Sequence, residues 1–116
     1  MAGIYIHIPF CKQSCHYCNF HFSTSTKNKD EVLDAIENEI KQKGQATNEA
    51  ISTIYFGGGT PSILDVNEIN SIIKKIHKEF NVDSEAEITI EANPDDLNKE
   101  KIINLSFTEI NRLSIG

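Results

Sequence analysis

The sequence lacks three features, and each absence excludes a class of protein. It has no excess of positive charge, since 11 Lys and Arg residues stand against 17 Asp and Glu residues. The net charge of −6 provides no field that would draw the protein onto nucleic acid or anionic lipid. It also has no apolar run of the roughly 18 residues that a membrane span requires, and its start lacks the basic and long apolar regions of a signal peptide. We therefore expect a cytosolic protein that binds no nucleic acid and has no membrane span.

Cysteine is also scarce, and its distribution argues against disulfide bonds. The chain has three cysteines, Cys11, Cys15 and Cys18, which is an odd number in one short segment. The cytosol keeps thiols reduced, and clustered thiols there more often hold a metal. The remaining composition, with 39% hydrophobic and 24% charged residues, is typical of a globular domain. At 116 residues the chain is too short for a closed eight-fold α/β barrel, which needs about 250.

Hydrophobic periodicity predicts strands and helices in alternation. Strands are predicted over Ala2–Ile8, Ile51–Phe56, residues 85–91 and Arg112–Gly116, and helices over Asn28–Gly44, Asp65–Phe80 and around Glu100–Leu105. This order is typical of the α/β class, with a parallel sheet and right-handed crossovers. The fourth strand stops at Gly116 before a helix could cover it. We therefore expect the front part of a longer protein, poorly soluble because of its open sheet edge.

The cysteine loop follows the first strand with the spacing C-x3-C-x2-C. Thiolates are soft ligands that suit zinc or an iron–sulfur cluster. Electron-transfer clusters use four cysteines, so three would leave one iron open to a small molecule. A structural zinc site with three cysteines and one histidine (His21, His7 or His16) is the main alternative, and buried idle thiols are another.

Four motifs, spread over nearly the whole chain, together resemble the front half of a radical SAM protein. They are Tyr5–Cys11 with Cys15, Tyr17 and Cys18; Phe56–Pro61; Glu91–Pro94; and Arg112–Gly116. Within that superfamily the chain is most similar to the oxygen-independent coproporphyrinogen III oxidase group, and especially to its HemW branch of haem chaperones.

This resemblance implies both a fold and a chemistry. Residues 1–116 would form the N-terminal half of a partial (β/α)6 barrel, as the N-terminal portion of a radical SAM core. Cys11, Cys15 and Cys18 would hold a [4Fe-4S] cluster whose fourth iron binds S-adenosylmethionine through its amine and carboxylate. An electron from a flavodoxin- or ferredoxin-type donor would then cleave the sulfonium to a 5′-deoxyadenosyl radical, which takes hydrogen from a substrate.

The resemblance also assigns cofactor contacts, each with a structural alternative. Tyr17 would pack near the adenine, or anchor the loop. Gly57, Gly58, Gly59 and Thr60 would approach the methionyl amine, although a glycine run at a strand end also fits a plain turn. Glu91 and Asn93 would contact S-adenosylmethionine, or cap a turn.

The resemblance also concerns residues elsewhere on the strands. Tyr5 and His7 share a parity on the first strand and would face the barrel interior near the cofactor, although a lone histidine is usually structural. Arg112 and Ser114 match the next family strand without a defined role. Glu85 and Glu87 are interpreted as a solvated face.

One departure from the group's pattern concerns the residues after the third cysteine. The oxidases usually carry a fourth cysteine two residues later, but Asn19 and Phe20 follow Cys18 here. This difference favours the haem-chaperone branch, with haem and a haem-accepting protein as expected partners of the full-length protein. The oxidase itself stays an alternative. We expect this chain alone to bind a cluster but to show weak or no turnover.

Overall fold

The computed structural model describes residues 2–9 and 29–115, which build a parallel sheet with helices packed against one face. Its strands are β1 (Ala2–Ile8), β2 (Ala50–Gly58), β3 (Asn81–Ala92) and β4 (Arg112–Ile115), and its helices are α1 (Lys29–Gly44), α2 (Val66–Glu79) and α3 (Lys99–Ser106). Short 3-10 turns follow β2 at Pro61–Ile63 and β3 at Pro94–Asp96. The strands lie in the order β1-β2-β3-β4, and each pair is parallel. The predicted α/β class is confirmed.

The two faces of the sheet differ because side chains alternate along each strand. One row runs from Ile6 through Phe56 and Ile90 to Leu113, and its first three members are buried under the helices. The neighbouring row runs from Tyr5 through Tyr55 and Thr89 to Arg112 on the opposite face, which we call the polar face. Glu85 and Glu87 are exposed, as predicted.

Helix α2 supplies much of the core. Ile69, Ile72, Ile73 and Ile76 recur at helical spacing and are at most 2% exposed. They pack with Leu33 and Ile40 of α1 against the apolar face of the sheet. No helix within residues 2–9 and 29–115 has the length and apolar character to cross a membrane.

Two strands extend further than the sequence predicts. Strand β2 includes Gly57 and Gly58, which pair with His7 and Ile8. Strand β3 begins already at Asn81, and its register against β2 jumps from Val82 to Glu87. In the irregular stretch between them, the Asp83 carboxylate accepts from the Glu85 N–H at 2.9 Å. Such a bulge breaks the period-two pattern that identifies the later half of the strand.

The start of α2 carries the capping box that the sequence predicts. The Asp65 carboxylate accepts from the Glu68 N–H at 2.9 Å, and the Glu68 carboxylate accepts from the Asp65 N–H at 2.9 Å. Both bonds satisfy amide groups that the first helical turn leaves unpaired. The cap therefore determines the residue at which α2 begins, after the loop that follows β2.

We expect Asp65→Ala to lower the free energy of unfolding by about 1 kcal/mol, because the Glu68 amide loses its acceptor. Urea unfolding followed by circular dichroism measures the change. Asp65→Ser, which keeps a capping oxygen, is the matched control and should lie within a few tenths of a kcal/mol of the parent. Equal urea midpoints for Asp65→Ala and the parent would show that the cap does not stabilise the fold.

Candidate functional site

The predicted metal ligands Cys11, Cys15 and Cys18 lie outside the described residues, as does Tyr17. Within residues 2–9 and 29–115, no group of three or more His, Cys, Asp or Glu side chains is placed to hold a metal ion. The assignment of the cysteines therefore stays a prediction. The described residues include most of the other predicted site residues, at the carboxyl ends of the strands.

A cleft opens at the carboxyl ends of β2, β3 and β4. Its volume is about 330 Å³, and its lining consists of Gly59, Thr60, Pro61, Glu91, Ala92, Asn93 and Ser114. This volume is within the range of about 300–1,000 Å³ that is usual for small-molecule sites. Parallel α/β sheets place ligands at this end of the strands. Four of the predicted cofactor contacts thus share one cavity with Ser114: Gly59, Thr60, Glu91 and Asn93.

Glu91 is the charged group in this cleft, and the chain holds both of its carboxylate oxygens. Oε2 accepts from the Tyr55 hydroxyl at 2.8 Å, and Oε1 accepts from the Gly58 N–H at 3.1 Å. The two donors belong to β2, while Glu91 belongs to β3. A carboxylate has about four acceptor sites, so capacity is left for a ligand. Glu91 can therefore bind a hydroxyl or an ammonium group from a fixed position.

The glycine turn beside Glu91 depends on the absence of side chains. Gly58 has φ +111°, which side-chain-bearing residues rarely adopt, and a Cβ there would lie 2.6 Å from the Ile8 carbonyl oxygen. The Gly59 N–H donates to that same oxygen at 2.8 Å. The amides of Gly58 and Gly59 both donate within the chain, so neither is available to an anion. The Glu91 carboxylate beside the turn meets a ligand as an acceptor, which suits an amine donor.

Two tyrosines, Tyr5 of β1 and Tyr55 of β2, lie side by side on the polar face of the sheet. The Tyr5 and Tyr55 rings stack with centroids 5.7 Å apart and an angle of 12° between their planes. Tyr5 also covers Gly57, where a Cβ would lie 2.5 Å from the Tyr5 hydroxyl oxygen. Partial burial, and then the charge of Glu91, raise the pKa of Tyr5 above its usual value near 10. Tyr5 is thus placed beside the glycine turn, and its contact with a cofactor stays a prediction.

The other predicted residues, Asn93, His7 and Arg112, do not all line the cleft. The Asn93 Oδ1 accepts from the Asp95 N–H at 3.0 Å, so Asn93 caps the turn. Its Nδ2 is then the group that could meet a ligand. His7 is on the polar face, with its ring 6.2 Å from that of Tyr5. Arg112 lies 3.9 Å from the Glu87 carboxylate, away from the lining of the cleft. Contacts with a cofactor stay predictions for all of them.

Three residues that shape the cleft, Tyr55, Ser62 and Asp96, were not predicted from the sequence. Tyr55 holds Glu91, while Ser62 links the two loops: its hydroxyl donates to Asp96 at 2.9 Å and accepts from the Asn93 N–H at 3.4 Å. Tyr55 shares its parity on β2 with Gly57, which could have placed it on the polar face. The Ser62–Asp96 contact joins residues far apart in sequence, and no local pattern indicates it.

Comparisons with known proteins agree with this fold. The radical SAM superfamily profile matches residues 5–116. The haem chaperone HemW of Bacillus subtilis is 39% identical over all of this chain, and the oxygen-independent coproporphyrinogen III oxidase of Escherichia coli is 34% identical over 98% of it. A solved structure of the Escherichia coli coproporphyrinogen III oxidase, described as a radical SAM enzyme, superposes with a TM-score of 0.87 at 32% identity, covering 99% of this chain.

The chain belongs to the radical SAM superfamily, which confirms the predicted resemblance. Its curated relatives include both HemW haem chaperones and oxygen-independent coproporphyrinogen III oxidases. It spans 31% of the Bacillus subtilis chaperone and 26% of the Escherichia coli oxidase. Membership of this superfamily implies S-adenosylmethionine and an iron–sulfur cluster as cofactors.

The raised pKa of Tyr5 gives a test of the site's electrostatics. We expect Glu91→Gln to lower the pKa of Tyr5, because the nearby negative charge opposes formation of the phenolate. Ultraviolet titration of the protein and of its Tyr5→Phe variant isolates the Tyr5 signal. In the parent, the folded state keeps this proton to higher pH than the unfolded state, so stability should decrease as pH rises past about 10.

The matched control for this titration is Glu87→Gln, which removes the same charge from an exposed position on the same strand. It should leave the Tyr5 titration unchanged. A Tyr5 pKa that is the same in Glu91→Gln and in the parent would contradict the proximity of the two groups.

Proposed function

We propose that residues 1–116 are the N-terminal portion of a radical SAM core, and that they bind a [4Fe-4S] cluster through Cys11, Cys15 and Cys18. S-adenosylmethionine would occupy the cleft at the carboxyl ends of β2, β3 and β4. The observation that carries the proposal is the Glu91 carboxylate, fixed by two donors beside a glycine turn that has no room for side chains.

The described residues support this ligand through their chemistry. S-adenosylmethionine carries an ammonium and a sulfonium group, and the cleft offers the Glu91 carboxylate, which attracts positive charge. Ser114 and the Asn93 amide add polar groups to the same lining. Thr60 contributes a hydroxyl that does not cap the 3-10 turn Pro61–Ile63, which it precedes. The chemistry that the cluster supplies when bound is one-electron reduction of the sulfonium, and the residues described here bind and orient the nucleoside.

For the whole protein we propose the role of a HemW-like haem chaperone. HemW chaperones align with the chain at 32–39% identity, three of them at 38–39%, and the coproporphyrinogen oxidases align at 33–34%. Asn19 and Phe20 after Cys18 also differ from the oxidase pattern. The oxidase activity is the second candidate, which the superposition on the Escherichia coli enzyme supports.

The expected partners follow from this role. We propose a flavodoxin- or ferredoxin-type electron donor, haem, and a haem-accepting protein. The cytosol is the proposed location, because three clustered thiols need a reducing compartment to stay available as ligands.

Anaerobic reconstitution with iron and sulfide tests the cluster. We expect a brown protein with about four irons per chain, the content of one [4Fe-4S] cluster. Its reduced electron paramagnetic resonance spectrum should change when S-adenosylmethionine is added. Cys15→Ala should lose most of the iron, because a thiolate ligand is missing, whereas Ser14→Ala, at the neighbouring position in the sequence, should keep it.

Two results would overturn the cluster proposal. A colourless protein with one bound zinc would support the site of three cysteines and one histidine instead. Equal iron content and equal S-adenosylmethionine binding in Cys15→Ala and the parent would remove the cysteines from the site.

The two candidate roles separate when the product of the complete gene is given haem and coproporphyrinogen III. A haem chaperone should bind haem, seen as a shifted Soret band, and leave coproporphyrinogen III unchanged in the presence of reductant and S-adenosylmethionine. Decarboxylation of coproporphyrinogen III under these conditions would favour the oxidase. A variant with the Cys15→Ala change controls for chemistry that does not involve the cluster.

A further inference from the structure

Tyr55 occupies a position between two of the proposed cofactor residues without lining the cleft itself. It lies on β2, with Tyr5 opposite it on β1 and Thr89 on β3. Its hydroxyl donates to Glu91 Oε2 at 2.8 Å. The described residues that line the cleft include Glu91 but not Tyr55. Tyr55 can therefore affect a ligand in the cleft by acting on Glu91.

Glu91 needs more than one donor to keep a single orientation. A glutamate has several rotatable bonds, and the last of these has a broad torsional preference. The Gly58 N–H, 3.1 Å from Oε1, fixes one oxygen and leaves the carboxylate able to turn about that contact. The Tyr55 hydroxyl fixes the other oxygen. Two donors at different positions determine the plane of the carboxylate, and with it the direction of the remaining acceptor sites.

Tyr55 is itself held in place by its neighbours. Its ring stacks on that of Tyr5 at a centroid distance of 5.7 Å, in the offset arrangement that aromatic pairs favour. It is half-buried, and its backbone lies in the middle of the sheet, paired on both sides. The Tyr55 side chain, which orients Glu91, is thus held more rigidly than the Glu91 side chain would be without it.

We propose that Tyr55 is a positioning residue, which orients the Glu91 carboxylate for S-adenosylmethionine through the hydrogen bond from its hydroxyl. This inference rests on the proposed function of the cleft. It assigns Tyr55 no contact with the ligand and no part in cluster binding.

Tyr55→Phe tests the proposal, because it removes the hydroxyl and keeps the ring that stacks on Tyr5. The measurement is the affinity of the cluster-reconstituted chain for S-adenosylmethionine, by isothermal titration calorimetry under anaerobic conditions. We expect the affinity to fall about three- to ten-fold, the loss typical of one hydrogen bond, with the iron content unchanged. An affinity equal to that of the parent would overturn the proposal.

A double-mutant cycle separates positioning from a general structural effect. Glu91→Ala alone should weaken binding roughly 10- to 100-fold, as expected for loss of a charged partner. Adding Tyr55→Phe to Glu91→Ala should cause no further loss, because the hydroxyl no longer has a carboxylate to orient. Losses that multiply in the double variant would show that Tyr55 acts independently of Glu91, and would overturn the proposal.

Ser52→Ala is the matched control, since it also removes a hydroxyl from β2 but at the amino end, where that hydroxyl contacts the Ala2 carbonyl at 3.4 Å. It should bind S-adenosylmethionine like the parent, and an equal loss in both variants would contradict the specific role of Tyr55. Absence of binding by the reconstituted parent would overturn the proposed function together with this inference. Binding by the parent and by Tyr55→Phe with equal affinity would overturn the inference alone.

Discussion

The hydrogen bonds that Glu91 accepts from β2 are the contacts on which the candidate site depends. They join the ends of two neighbouring strands and fix the glycine turn at the same time. They exist only in one register, because a shift of β3 by one residue would turn Glu91 toward the helices. The register is in turn set by the apolar row of Ile6, Phe56 and Ile90, which must face the core. Burial of the apolar face therefore determines where the carboxylate of the polar face lies.

The alternation of the strands explains how one sheet serves both stability and binding. Ile88 and Ile90 are at most 3% exposed under the helices, while Glu87 and Glu91 of the same strand occupy the polar face. Replacing an apolar member of β3 would affect the whole fold, whereas replacing a polar one changes mainly the site. This separation lets the cleft carry a charged group without placing it in the core, where an unpaired charge is costly.

The sequence predicts the parts of this structure that local chemistry determines. The strand Ala2–Ile8 has its predicted bounds, and the Asp65–Glu68 capping box is present, because alternation and capping depend on residues close in sequence. The early start of β3 at Asn81 could not be predicted from the sequence, because the bulge near Asp83 interrupts the period-two pattern of the strand. The contacts of Tyr55 with Glu91 and of Ser62 with Asp96 connect different strands and loops, so they follow from the register and not from a motif. The family motifs placed Glu91 at the site, but they did not indicate what orients it.

The hydrogen bonds made by the N–H groups of the glycine turn also determine which sign of charge the cleft favours in a ligand. Glycine-rich turns that bind phosphate present free backbone N–H groups to the anion. Here the N–H groups of Gly58 and Gly59 donate to Glu91 and to the Ile8 carbonyl, so they are not available for an anion. The lining described for the cleft contains a glutamate and no Lys or Arg. A phosphate would meet the negative charge of Glu91 and neither of these two amides, while a cationic ligand would meet the acceptor sites left on that carboxylate. A glycine turn can bind a nucleotide in another fold. The hydrogen bonding of this turn favours a positively charged ligand instead.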